Sequence, residues 1–119
     1  MSIARKVTVI DDDPTMLKAI ERLLRVKGFE VETFASAEAF LAGERKSTCL
    51  VLDIHLGGMS GIELRRRLSA SGSHIPVIFI TALDDDATRK QATDAGCVAY
   101  LRKPFLADLL IGAIELAAV

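Results

Sequence analysis

The sequence predicts an α/β fold built on one open, parallel, doubly wound sheet sandwiched by helices, and three observations lead there. Short apolar, β-branched runs alternate five times with segments of helical period. The 119 residues are about one domain's worth, so 1–119 is expected to fold as a single unit. No linker, repeat or low-complexity tract divides them, and β-α units in series favour a parallel sheet with right-handed crossovers.

Each element has its own local warrant. KVTVI at 6–10 reads as a buried strand, and Asp13-Pro14 reads as a helix N-cap followed by proline at the first helical position. Leu17, Ile20 and Leu24 recur on one helical face until Gly28 supplies a stop. EVETF at 30–34 is a second strand, and SAEAFLAGER begins a short helix capped by Ser36. CLVLD at 49–53 is apolar without alternation, as in a strand covered on both faces. A helix over 61–70 ends near Gly72. PVIFIT at 76–81 is the fourth strand, 85–95 a polar helix stopped at Gly96, VAYL at 98–101 the fifth strand, and 105–118 the last helix.

Composition narrows the function. Fifteen basic residues against 16 acidic leave a net charge of −1, which does not suit a general polyanion binder. The one basic run, Arg65-Arg66-Arg67, reads as a solvated helix face and not as a nucleic-acid patch. Cys49 and Cys97 lie far apart in apolar stretches, without metal-ligand spacing, and read as reduced core residues. His55 and His74 stand at unrelated positions and read as solvated. Neither a signal-peptide core nor a run of about 18 apolar residues is present, so no membrane span or export is expected and the cytoplasm is the expected location.

The chemistry concentrates at the carboxyl ends of the strands, where ligands bind in such sheets. Asp11 and Asp12 follow the first strand, Asp53 ends the third, Thr81 ends the fourth, and Lys103 lies just past the fifth. Each has an ordinary alternative: a strand exit or cap for the acids, a helix-start hydroxyl for Thr81, a surface amine for Lys103. Their convergence on one edge is what singles them out. A carboxylate attacking phosphorus needs its partner's charge neutralised. Magnesium prefers hard oxygen ligands and keeps several waters, so Asp53, one or both of Asp11 and Asp12, and the backbone carbonyl of His55 would suffice if the loop curls back. Asp13 is assigned to the helix cap.

VIDDD at the first strand, VLDIHLGGMSGIEL around the third, IFITA at the fourth and AYLRKPF at the fifth together resemble the receiver domains of two-component response regulators, the CheY-like superfamily. The resemblance covers nearly the whole chain. It implies a flavodoxin-like (βα)5 sandwich with strand order 2-1-3-4-5, and a signalling domain in place of an enzyme proper. It further implies that Asp53 accepts a phosphoryl group from a sensor histidine kinase or phosphotransfer protein, that Asp11 and Asp12 hold Mg2+, that Thr81 binds a phosphoryl oxygen and that Lys103 pairs with the charge. Tyr100 would be the aromatic that turns inward when Thr81 moves, Ala82 would leave the phosphoryl group room, and Lys103-Pro104 would be cis. Gly57 departs from the family, which usually has proline there, and that puts the stiffness of the loop in question.

The last helix is apolar almost all round. Leu106, Leu109, Leu110, Ala113 and Ala117 are expected to face the core and Ile111, Leu116 and Val119 to lie outside it. By the resemblance, that surplus points to a homodimer through the fourth helix, fifth strand and fifth helix, without nucleic-acid or membrane contacts by this domain. Three other readings stand beside this one: a receiver-like interaction module that is never phosphorylated, a haloacid-dehalogenase-like phosphohydrolase using Asp11, and a flavodoxin-like flavin binder. The hydrolase lacks its late acidic pair, and acids at the phosphate end would repel a flavin's phosphate.

Overall fold

The protein, described here from a computed structural model over residues 5–43 and 47–117, alternates strand and helix five times. The elements are β1 (Lys6–Ile10), α1 (Pro14–Val26), β2 (Glu30–Phe34), α2 (Ala37–Ala42), β3 (Cys49–Asp53), α3 (Gly61–Ala70), β4 (Val77–Thr81), α4 (Asp86–Ala95), β5 (Ala99–Arg102) and α5 (Ala107–Ala117). All strand pairs are parallel, in the order β2-β1-β3-β4-β5. Order reverses between β1 and β3, which opens a crevice at their carboxyl ends.

Period-two alternation sends each strand's side chains to both faces. Val7, Val9, Val51, Ile78 and Ile80 join α1 and α5 through Ile20, Leu24, Leu110 and Ile114. Ile10, Leu50, Leu52, Val77 and Phe79 meet α2, α3 and α4 through Phe40, Leu64, Leu68 and Ala92. Every residue of β3 and β4 is buried, which explains why both read as continuous apolar runs. The polar ends of these two strands, Asp53 and Thr81, are therefore held by a rigid frame.

The caps follow local chemistry. Asp13 accepts the N–H of Thr15, Ser36 that of Ala39, Ser60 that of Glu63 and Asp85 that of Thr88. Gly28 takes φ +91° just past α1.

Several expectations need correction: β4 begins at Val77 and not at Pro76, α4 at Asp86 with Asp85 as its cap, and α5 at Ala107 and not at 105. β5 is Ala99–Arg102, one residue later than VAYL, because Val98 is spent on a backbone bond to Val77 O at 2.8 Å before the ladder begins. On α5 the buried residues are Leu110, Ala113 and Ile114, while Leu106 and Leu109 are exposed and Ile111 packs against the core. A helix apolar all round carries no period to orient it. Arg65 is not on a solvated face: it is half-buried, and its Nε donates to Gly96 O at 3.0 Å. Arg66 and Arg67 are exposed. Glu44, Arg45, Ala118 and Val119, which the expected helices included, lie outside the described residues. Cys49 is buried, Cys97 is half-buried, and both are free thiols. Among the described residues no helix is long and apolar enough to cross a membrane.

Candidate functional site

Parallel pairing levels the strand ends, so Asp11, Asp53, Thr81 and Lys103 arrive at one rim although their sequence separations are large. Asp11 is fully buried and Asp53 nearly so, at 4% exposure, whereas Asp12 is exposed. One oxygen from each of the three carboxylates can be chosen so that all lie within 4.8 Å of one another. The Lys103 ammonium sits among them, donating to Asp11 Oδ2 at 2.7 Å and Asp53 Oδ2 at 3.3 Å.

Burial, followed by the charge of Asp11, pushes the Asp53 carboxyl up to about 6, against the pull of Lys103 and of the His55 N–H. Burial alone would lower Lys103, yet its bonds to Asp11 and Asp53 outweigh burial and hold it above the ordinary lysine value. Lys103 thus favours the charged form of Asp53, and the two acids favour that of Lys103. The set of hard oxygens fits a small divalent cation, because buried acids this close repel one another unless a cation stands between them.

The loop after Asp53 is tied to the end of β3 by backbone donors. His55 N–H donates to Asp53 Oδ1 at 3.1 Å, and Gly61 N–H donates to Ile54 O at 3.0 Å. Gly61 lies so tightly on the end of β3 that a Cβ there would be 2.3 Å from Asp53 O. No side chain fits at that position without moving the phosphoacceptor candidate's own backbone. Gly57 N–H donates to Asp12 Oδ2 at 3.3 Å. A proline would have no N–H to give, so the family departure ties the loop to an acid of the cluster.

Thr81 and Tyr100 lie on the other side of the rim. The buried Thr81 hydroxyl donates to Leu83 O and accepts from Leu83 N, both at 3.0 Å, and so is engaged by its own loop. Ala82 between them is exposed. Half-buried Tyr100 donates its O–H to Asp84 Oδ1 at 3.1 Å. The Arg89 guanidinium lies 5.0 Å from the ring centroid and bonds to Asp84 Oδ2 at 2.7 Å. Burial, and then the bond to Asp84, raise the tyrosine to about 12. Sequence reading did not single out Asp84 or Arg89. Lys103-Pro104 is cis, and Pro104 helps line an apolar cavity of about 190 Å³ with Met16, Ile20, Leu23 and Phe105.

A family model for the response regulator receiver domain matches residues 7–115. The response regulator protein TodT of Pseudomonas putida is 39% identical over 116 residues, covering 96% of this chain and 51% of TodT. The transcriptional regulatory protein FixJ of Rhizobium meliloti is 38% identical over 114 residues, covering 94% of this chain and 56% of FixJ. The chain therefore spans about half the length of these curated relatives. Among solved structures, FixJ-N superposes with a TM-score of 0.90 at 36% identity, covering 98% of this chain and 95% of that one. The BeF3-activated DrrB receiver domain gives 0.89 at 31% identity, covering 97% of each chain. These likenesses leave no room for the hydrolase or flavin readings. A match that begins in β1, ends in α5 and passes through every strand end that bears a polar group places this chain in the family of response regulator receiver domains, the signalling modules of two-component systems.

Proposed function

We propose that this receiver takes a phosphoryl group onto Asp53 from the phosphohistidine of a sensor histidine kinase or phosphotransfer protein, with Mg2+ as the required cation. The observation that supports this most is the placement of Asp53: a buried carboxylate at a strand tip, linked to Asp11 through the ammonium of Lys103. With its carboxyl at about 6, Asp53 has its ionised form available near neutral pH, the form that attacks. An Asp53 oxygen forms the new bond to phosphorus, the donor's P–N bond breaks, and the departing imidazole nitrogen keeps the electron pair and takes up a proton.

Asp11, Asp12, Asp53 and the His55 carbonyl would hold the cation, whose chemistry is to draw charge off the transferring oxygens. Lys103 contributes a second positive charge from its present place beside Asp53. For Thr81 to bind a phosphoryl oxygen its hydroxyl must leave Leu83, and the Leu83-Asp84 segment also holds Tyr100. Movement of Thr81 thus loosens Tyr100, which is the proposed switch. Exposed Ala82 leaves space over the site.

The apolar cavity between α1 and the Pro104-Phe105 turn, which follows Lys103 in sequence, suits an apolar surface of the phosphodonor. Exposed Leu109 and Leu116 on α5, with Val98 beside β5, support self-association through α4, β5 and α5 after phosphorylation. The names of FixJ and of the Thauera aromatica relative TdiR state transcriptional regulation for those proteins, and that is the output proposed here.

Incubation with Mg2+ and acetyl phosphate, followed by mapping of the labile acyl phosphate, tests the reading. Label is expected on Asp53, absent from Asp53→Asn and absent when the cation is chelated. Label on Asp11 in the parent protein, or none at all, would overturn it.

A further inference from the structure

Glu38 on α2 reaches across to the loop that follows Asp53. Its Oε2 accepts the N–H of Met59 at 3.1 Å, although the two residues are 21 apart in sequence. The same oxygen would lie 2.7 Å from a Cβ on Gly58, a residue at φ +79°, so the carboxylate is laid directly on the loop backbone. A charged acceptor strengthens such a bond. The Met59 N–H is correspondingly the main reason that the Glu38 carboxyl sits below the usual glutamate value.

The loop needs holding. Gly57-Gly58 is the most permissive dipeptide available, and position 57 lacks the proline that family likeness leads one to expect. The loop touches the acidic cluster at two points, through His55 N–H on Asp53 and Gly57 N–H on Asp12. Whatever fixes the loop therefore fixes the mutual placement of two carboxylates. We propose that Glu38 is a positioning residue for the cation-binding acids, holding the loop over 57–59 in the conformation that presents the Gly57 N–H to Asp12. This rests on the receiver reading above and adds a residue to it.

The test uses the full chain, with amide hydrogen exchange and Mg2+ titration both followed by NMR. Glu38 is exposed, so Glu38→Ala should remain folded, which a thermal melt without Mg2+ verifies. In Glu38→Ala the Met59 amide should exchange about tenfold faster, as expected when a local restraint is lost. The midpoint for Mg2+ should rise about threefold or more, because part of the binding energy then goes to ordering the loop. Glu38→Gln, whose amide oxygen can accept the same N–H, should restore most of both.

A Mg2+ midpoint unchanged in Glu38→Ala, or one that Glu38→Gln leaves as high as Glu38→Ala does, would overturn the positioning role while leaving the receiver reading intact. Failure of the parent protein to titrate with Mg2+ at all would overturn the receiver reading and this inference with it.

Discussion

The two halves of the carboxyl rim are built from the same sheet yet held by different forces. The β1-β3-β5 half is electrostatic: two buried acids and one ammonium, with Lys103 bridging Asp11 and Asp53. The β4-β5 half is a set of directional bonds, with Thr81 fastened to Leu83 and Tyr100 to Asp84, and Arg89 over the tyrosine ring. Charge in the first half makes it responsive to ions and pH. Saturated hydrogen bonding in the second makes it responsive to displacement. A phosphoryl group on Asp53, as proposed, would bring charge to one half and a competing acceptor to the other.

Removing the ammonium should break the first half hardest. Lys103→Met leaves Asp11 and Asp53 facing each other without a cation and should cost about 3 kcal/mol, near the lower bound for breaking a buried pair, since one acid can take up a proton. Urea unfolding at pH 7 with chelator present measures this, and added Mg2+ should return part of the loss. An unfolding midpoint equal to the parent's would mean that the amine is not what holds the acids together.

Asp53→Asn probes the same half with opposite sign. The folded Asp53 carboxyl stands at about 6, whereas an ordinary aspartate titrates near ~4. Between those values the native state binds more protons than the unfolded chain, so the parent loses stability as pH rises through that window and does not regain it above. Asparagine carries no such penalty. The variant should exceed the parent at pH 7 by about 1–3 kcal/mol, with the gain gone near pH ~4. Urea melts across that range check it, and a gain independent of pH would refute the electrostatic account.

The smallest expected effect belongs to the bonded half. Tyr100→Phe removes the donor to Asp84 and should cost about 0.5–1.5 kcal/mol. It should leave the titration of Asp53 unmoved, as read by carboxyl-carbon NMR. A shifted Asp53 would show that the two halves are already coupled before any modification.

What could be read from the residues in order depended on range. β1 and β3, the helix over 61–70 and the caps at Asp13 and Ser36 were legible because each is written in a few adjacent residues. The five rim residues were legible as strand ends once a parallel sheet was assumed. The faces of α5 were not, because an all-apolar helix has no polar side to orient it. Nor were the grip of Glu38 on Met59 and the tie from Gly57 to Asp12, whose partners stand 21 and 45 residues apart and leave no local pattern. Gly61 read only as a helix start, and the reason for it is a carbonyl of the neighbouring strand.

The Lys103 contact with Asp11 joins residues 92 positions apart. During biosynthesis Asp53 leaves the ribosome well before Lys103 does, so a partly made chain carries the acid without its ammonium. The rim is completed only after Lys103 has been translated, and a shorter nascent fragment cannot assemble it ahead of time.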